Sequence, residues 1–181
     1  MIAKLSTRIA EFIRKNDTNA ASMEVLMFSL TIVLNALFIT VAILAISAIT
    51  GRLLTGVLLI ISYVTLRFFS GGVHLPTSRL CNAISIGVFC VLMFLSVPYW
   101  NVGVTLNALA FMLILAYAPT KDIMHLNRLG PKYTIHFKLI SIALVLVNFW
   151  IQSPVLALAF FTQALSLTPL SYKAVNRYEG G

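Results

Sequence analysis

The sequence predicts an all-α integral membrane protein with six transmembrane helices behind an N-terminal amphipathic interfacial helix. Three observations carry this. Of 181 residues, 60% are hydrophobic and only 10% are charged, against about 25% charged in a soluble domain. Long uncharged runs rich in Leu, Ile, Ala and Val argue for helices, since barrel strands would alternate over about 10 residues. Finally, the basic residues are scattered between the apolar runs. The formal net charge of +8 therefore suits span ends and anionic headgroups, and nucleic acid is not expected as a partner.

The elements follow in order within one domain, 1–181. Residues 1–24 are the amphipathic N-terminal segment. Ile2, Leu5, Ile9, Phe12 and Ile13 recur at helical spacing, with Lys4, Arg8, Glu11, Arg14 and Lys15 on other faces, a pattern that suits a helix in the interface as well as a basic flank of the first span. The first apolar run is too long for a signal-peptide core and is expected to stay as an anchor. Spans are expected at about residues 25–50, 53–69, 80–100, 101–118, 137–152 and 154–171. The second is short, and Arg52 and Arg67 at its ends snorkel to extend it. The third ends in a Tyr99-Trp100 interfacial belt. The uncharged tract 139–172 reads as a hairpin broken at Gln152-Ser153-Pro154, because proline disfavours helix at the preceding residue. Six spans put twelve of the 13 Lys and Arg on one side and leave Arg52 alone on the other. The positive-inside rule then makes both termini cytoplasmic.

One segment could do chemistry. His74 and Cys81 lie seven residues apart at the expected cytoplasmic face. On a straight helix they would sit about 10 Å apart along the axis. Gly71 and Gly72 permit a sharp turn and Pro76 stops a continuous helix, so the loop can fold His74 back over Cys81. Thr77 or Ser78 is expected to cap the third span, which puts Cys81 in its first turn, where the positive end of the helix dipole favours an anion. Arg67 and Arg79 add positive potential. His74 can take the thiol proton and later return it to a leaving group. Ser70, Ser78, Asp122 and Asn127 are all candidates to orient the histidine. Cys90 lies nine residues beyond Cys81, about 13 Å along a helix, too far for a disulfide, and reads as inert packing. His74, His125 and His136 form no H-E-x-x-H, and no paired-cysteine spacing is present, so no metal or other cofactor is expected.

The string Arg67-x3-Gly71-Gly72-x-His74-x6-Cys81 resembles the signature of the accessory gene regulator B (AgrB) family. Tyr117-Ala118-Pro119-x2-Asp122-x4-Asn127 is similar to that family's second segment, although Arg128 follows the Asn and Pro131 comes late. The resemblance implies a membrane cysteine endopeptidase of peptide quorum sensing in the bacterial cell membrane. Cys81 would be the nucleophile and His74 the base, with Arg67, Gly71, Gly72, Ser78 and Asp122 in support. The implied partners are a small AgrD-like precursor peptide, the phospholipid bilayer and a second copy in a homodimer. The implied product is a cyclic thiolactone peptide. Two readings compete with it. One is a transporter or export protein without protease chemistry, whose mid-span polar candidates are Asn35, Asn107, Asn148 and Gln163. The other is a scaffold that binds a partner through the 119–138 loop.

Overall fold

The computed structural model describes residues 2–17, 20–73, 75, 77–120 and 133–179. Those residues are helical with no strand: α1 (Ile2–Asn16), α2 (Met23–Ile49), α3 (Leu53–Ser70), α4 (Ser78–Phe94), a π-helical turn (Tyr99–Gly103) running into α5 (Val104–Tyr117), α6 (Thr134–Ile151), α7 (Pro154–Leu165) and α8 (Pro169–Glu179). α2, α3, the Tyr99–Tyr117 stretch and α6 are each long and apolar enough to cross a bilayer. α7 and α8 together make a fifth such stretch, bent by 59°. This is a multi-pass, all-α membrane protein. α4 is apolar but has 17 residues, about 26 Å of helix against about 30 Å of hydrocarbon.

Short polar signals set the boundaries. The side chains of Ser22, Thr77 and Ser153 accept hydrogen bonds from the N–H groups of Val25, Leu80 and Leu156 (3.4, 3.3 and 3.4 Å), capping α2, α4 and α7. Gln152 closes α6 at a left-handed φ of 57°, and Pro154 opens α7 at a position where its missing N–H costs nothing. α4 stops at Phe94, earlier than the expected end of the third span at Trp100. The chain is extended from Leu95 to Pro98 because proline biases its predecessor away from helix. Tyr99 is therefore no belt residue. It is buried at the start of the next helix, and its hydroxyl donates to Asn148 O at 3.0 Å, while Trp100 is 69% exposed.

α7 is the centre of the bundle. Ala157, Leu158, Ala159, Phe160, Gln163 and Ala164 are all buried. Phe160 and Ala164 pack with Leu66, Ala110, Ile114 and Val145 of α3, α5 and α6. Leu158 and Ala159 pack with Ile43, Leu59, Phe89 and Met93 of α2, α3 and α4. Beside the first residues of α7, Asn148 Nδ2 donates to Asn107 Oδ1 (3.0 Å) and Asn107 Nδ2 to Val145 O (3.2 Å). Asn148 Oδ1 also accepts from Ser153 N at 3.1 Å. These two mid-span amides hold α5, α6 and α7 together. They are fully buried, which accounts for their presence without a transport path.

α1 folds back on the start of α2. Ser6 and Ala10 are fully buried against it, with Thr31 Oγ1 donating to Ser6 Oγ at 3.1 Å. Small residues one turn apart let the two backbones approach. Leu5 and Phe12 stay 48% and 68% exposed beside the exposed Lys4, Arg8 and Lys15. An apolar stripe next to a basic one is the form that a helix takes in the headgroup region.

Candidate active site

Two helix ends deliver the site. α3 ends at Ser70, and its C-cap Gly71 donates its N–H to Arg67 O at 2.9 Å. The chain then runs through Gly72 to the cap Thr77, and α4 begins. Cys81 is the fourth residue of α4, partly buried, with its N–H on Thr77 O at 2.9 Å. Ser78, one residue past the cap, accepts from Asn35 Nδ2 of α2 at 3.0 Å. The cap and the Asn35 bond fix the first turn of α4, and with it Cys81.

The glycine segment is held by a separate set of bonds. Arg67 Nη2 donates to Val73 O at 2.8 Å, and Nη1 lies 3.4 Å from Gln163 Oε1 and 3.5 Å from the Tyr63 hydroxyl. Gln163 Nε2 donates to Gly71 O at 2.6 Å and to Ser70 Oγ at 3.1 Å. Val73 N–H donates to Ser166 O at 3.2 Å. The break after α7 makes that carbonyl available. Pro169 has no N–H to give Leu165 O, which takes Thr168 N (3.1 Å), Thr168 Oγ1 (2.8 Å) and Ser171 Oγ (2.7 Å) instead. The ladder ends, and Ser166 O is left for the loop. Gly72 lies in the crevice with φ +136°. A Cβ there would come within 2.5 Å of Ser166 Oγ, 3.1 Å of Arg67 Nη1 and 3.2 Å of Gln163 Nε2.

The two sequence segments meet. Thr120 N–H, just past Tyr117-Ala118-Pro119, donates to Ser70 O at 2.9 Å. Three buried oxygens near these elements, Asn35 Oδ1, Asn82 Oδ1 and Thr120 Oγ1, have no hydrogen-bond partner among the described residues. Buried acceptors of this kind call for further donors.

Of the residues expected at the site, Arg67, Gly71 and Gly72 thus form one cluster, and Ser78 and Cys81 share the first turn of α4. Arg79 is exposed beside them. His74, Asp122, His125 and Asn127 lie outside the described residues, so the His74–Cys81 separation does too. Ser70 is fully buried and faces Gln163. Cys90 lies two and a half turns further along α4. Sequence reasoning noticed Gln163 only as a mid-span polar residue and passed over Ser166, although both hold the glycine segment. The available signal was an amide, fully buried, four residues after the Ala159-Phe160 step of an otherwise apolar helix.

The accessory gene regulator B family profile matches residues 6–171. Two curated relatives bear the name AgrB-like. One, from Halalkalibacterium halodurans, is 23% identical over 183 residues, covering 98% of this chain and 92% of the relative. The other, from Listeria welshimeri, is 32% identical over 145 residues, covering 73% and 70%. No solved structure matches. With the matched profile spanning both segments that meet at the glycine loop, the chain belongs to the AgrB family, and so to accessory gene regulator quorum sensing.

Proposed function

We propose that this protein is a membrane-embedded cysteine endopeptidase that cleaves an AgrD-like precursor at the cytoplasmic face and forms a cyclic thiolactone peptide from it. The observation that carries the reading is the meeting of the two segments. Val73, one residue before His74, is tied to α3 and α7, and Cys81 starts α4 from a separately capped turn. Rigid supports on both sides of a nucleophile–base pair are what acyl transfer needs.

In the proposed reaction His74 takes the proton from Cys81 Sγ as the sulfur attacks the scissile carbonyl carbon. The N–H groups of Ser78 and Arg79, ahead of the first intrahelical bond of α4, are the nearest free donors for the oxyanion. The C–N bond breaks, and His74 returns its proton to the departing amine. The acyl group now rests on Cys81 as a thioester. A cysteine thiol within the same peptide attacks that carbonyl, a new thioester closes the ring, and Cys81 leaves as a thiol. The exchange of one thioester for another is nearly even in energy, so keeping water away favours cyclisation over hydrolysis.

The same proposal includes six crossings with both termini in the cytoplasm of a bacterial cell, and a homodimer. Its test is direct. Cys81→Ala and His74→Ala should each abolish processing of a co-expressed AgrD-like precursor while the protein still accumulates in the membrane. Processing by either variant at the wild-type rate would sink the reading.

A further inference from the structure

We propose that Gln163 is a positioning residue for His74, acting through Gly71 and Arg67; this rests on the reading of His74 and Cys81 as base and nucleophile. Gln163 is fully buried on the central helix α7. Its amide works in two directions. Nε2 donates to Gly71 O and Ser70 Oγ at 2.6 and 3.1 Å. Oε1 accepts from Arg67 Nη1 and Ser166 Oγ, both at 3.4 Å. Arg67, so oriented, holds Val73 O, and Ser166 O holds Val73 N–H. The three residues that lead into position 74 therefore take their place from α3 and α7, with Gln163 as the common partner. An apolar residue at 163 would strip Gly71 O of this donor and leave the Arg67 guanidinium free to swing.

The cysteine side of the pair has different supports, the Thr77 cap and the Asn35–Ser78 bond. Losing Gln163 should therefore disturb the pair from the histidine side alone. That separates positioning from a general role in the fold.

The test uses full-length, detergent-solubilised protein carrying Cys90→Ser, with alkylation of Cys81 by iodoacetamide followed by mass spectrometry. His74→Ala should slow labelling. Gln163→Leu should slow it to the same level, a loss on the order of tenfold or more for a base displaced by about 1 Å. The double variant should be no slower than His74→Ala alone, since two residues acting through one group are not additive. Asn107→Leu, which removes an equally buried amide near the opposite end of α7, should label at the parent rate. Labelling of Gln163→Leu at the parent rate overturns the proposal. So does a double variant slowed by the product of the two single effects, or an Asn107→Leu as slow as Gln163→Leu. If Gln163→Leu fails to accumulate, Gln163→Glu takes its place. It keeps the volume and accepts from Arg67 but gives Gly71 O no donor, so the same loss is expected. Failure of both to accumulate assigns Gln163 to the fold alone and overturns the proposal. Parent-rate labelling of His74→Ala instead strikes the reading of the pair beneath it.

Discussion

At Gly72 the backbone and its surroundings make the same demand. Its φ of +136° is disfavoured for any side chain, and a Cβ would lie 2.5 Å from Ser166 Oγ. Gly72→Ala should therefore cost about 1–3 kcal/mol in strain and push the segment off Arg67 and Gln163. A lowered melting temperature in detergent together with lost precursor processing is the expected result, and unchanged processing would show that the crevice is slack. The glycine string was legible because its residues are neighbours in sequence. Gly-Gly, a histidine and a cysteine within eleven positions announce a turn and a reactive pair. Gln163 was not legible, because its contact with Arg67 spans 96 residues. Nothing in a single chain ties a glutamine in one apolar run to an arginine at the end of another.

At the scale of elements, the tightest joint is the α2–α3 hairpin. Gly51 turns it at φ +67°, and the added Cβ of a residue at Gly56 would fall 2.6 Å from Ser47 Cβ. Gly56→Ala should force the two helices apart at a cost of about 1–3 kcal/mol, read as a lower melting temperature in detergent with α3 still inserted. Arg52 follows that turn and donates from Nη1 to Met93 O at 3.1 Å, with its guanidinium 5.0 Å from the centre of the Phe94 ring. The all-helical class was legible from composition, and the caps at Ser22, Thr77 and Ser153 lie where polar residues interrupt apolar runs. The bend at Ser166–Thr168 was not foreseen. The whole 139–172 tract lacks charge, and hydropathy is blind to a break whose cause is one missing N–H at Pro169. The same blindness merged the end of α4 with the Tyr99–Gly103 turn.

On the scale of the whole molecule, the helix ends fall on two levels. Ser70, Ser78, Thr120 and Gln163 belong to one, linked by the bonds Thr120 N–Ser70 O, Gln163 Nε2–Ser70 Oγ and the Ser70–Thr77 loop. Arg52 and Met93 belong to the other, as do Tyr99 and Asn148 on the far side of residues 95–98. α4 starts beside the end of α3 and finishes beside its beginning. It therefore covers the same thickness in the opposite direction, and its 17 residues should cross wherever α3 does. That argument extends the count to six and can be checked with single-cysteine reporters in a Cys81→Ser, Cys90→Ser background. Gly51→Cys, Ser96→Cys and Gln152→Cys should react with a membrane-impermeant maleimide on intact cells. Asp17→Cys and Lys173→Cys should react only after permeabilisation. A silent Ser96→Cys beside a reactive Gly51→Cys would mean that α4 enters and returns without crossing. Because Ser78 and Cys81 open that helix, such a result would also move the nucleophile relative to the headgroups, and the cytoplasmic face would have to be assigned again.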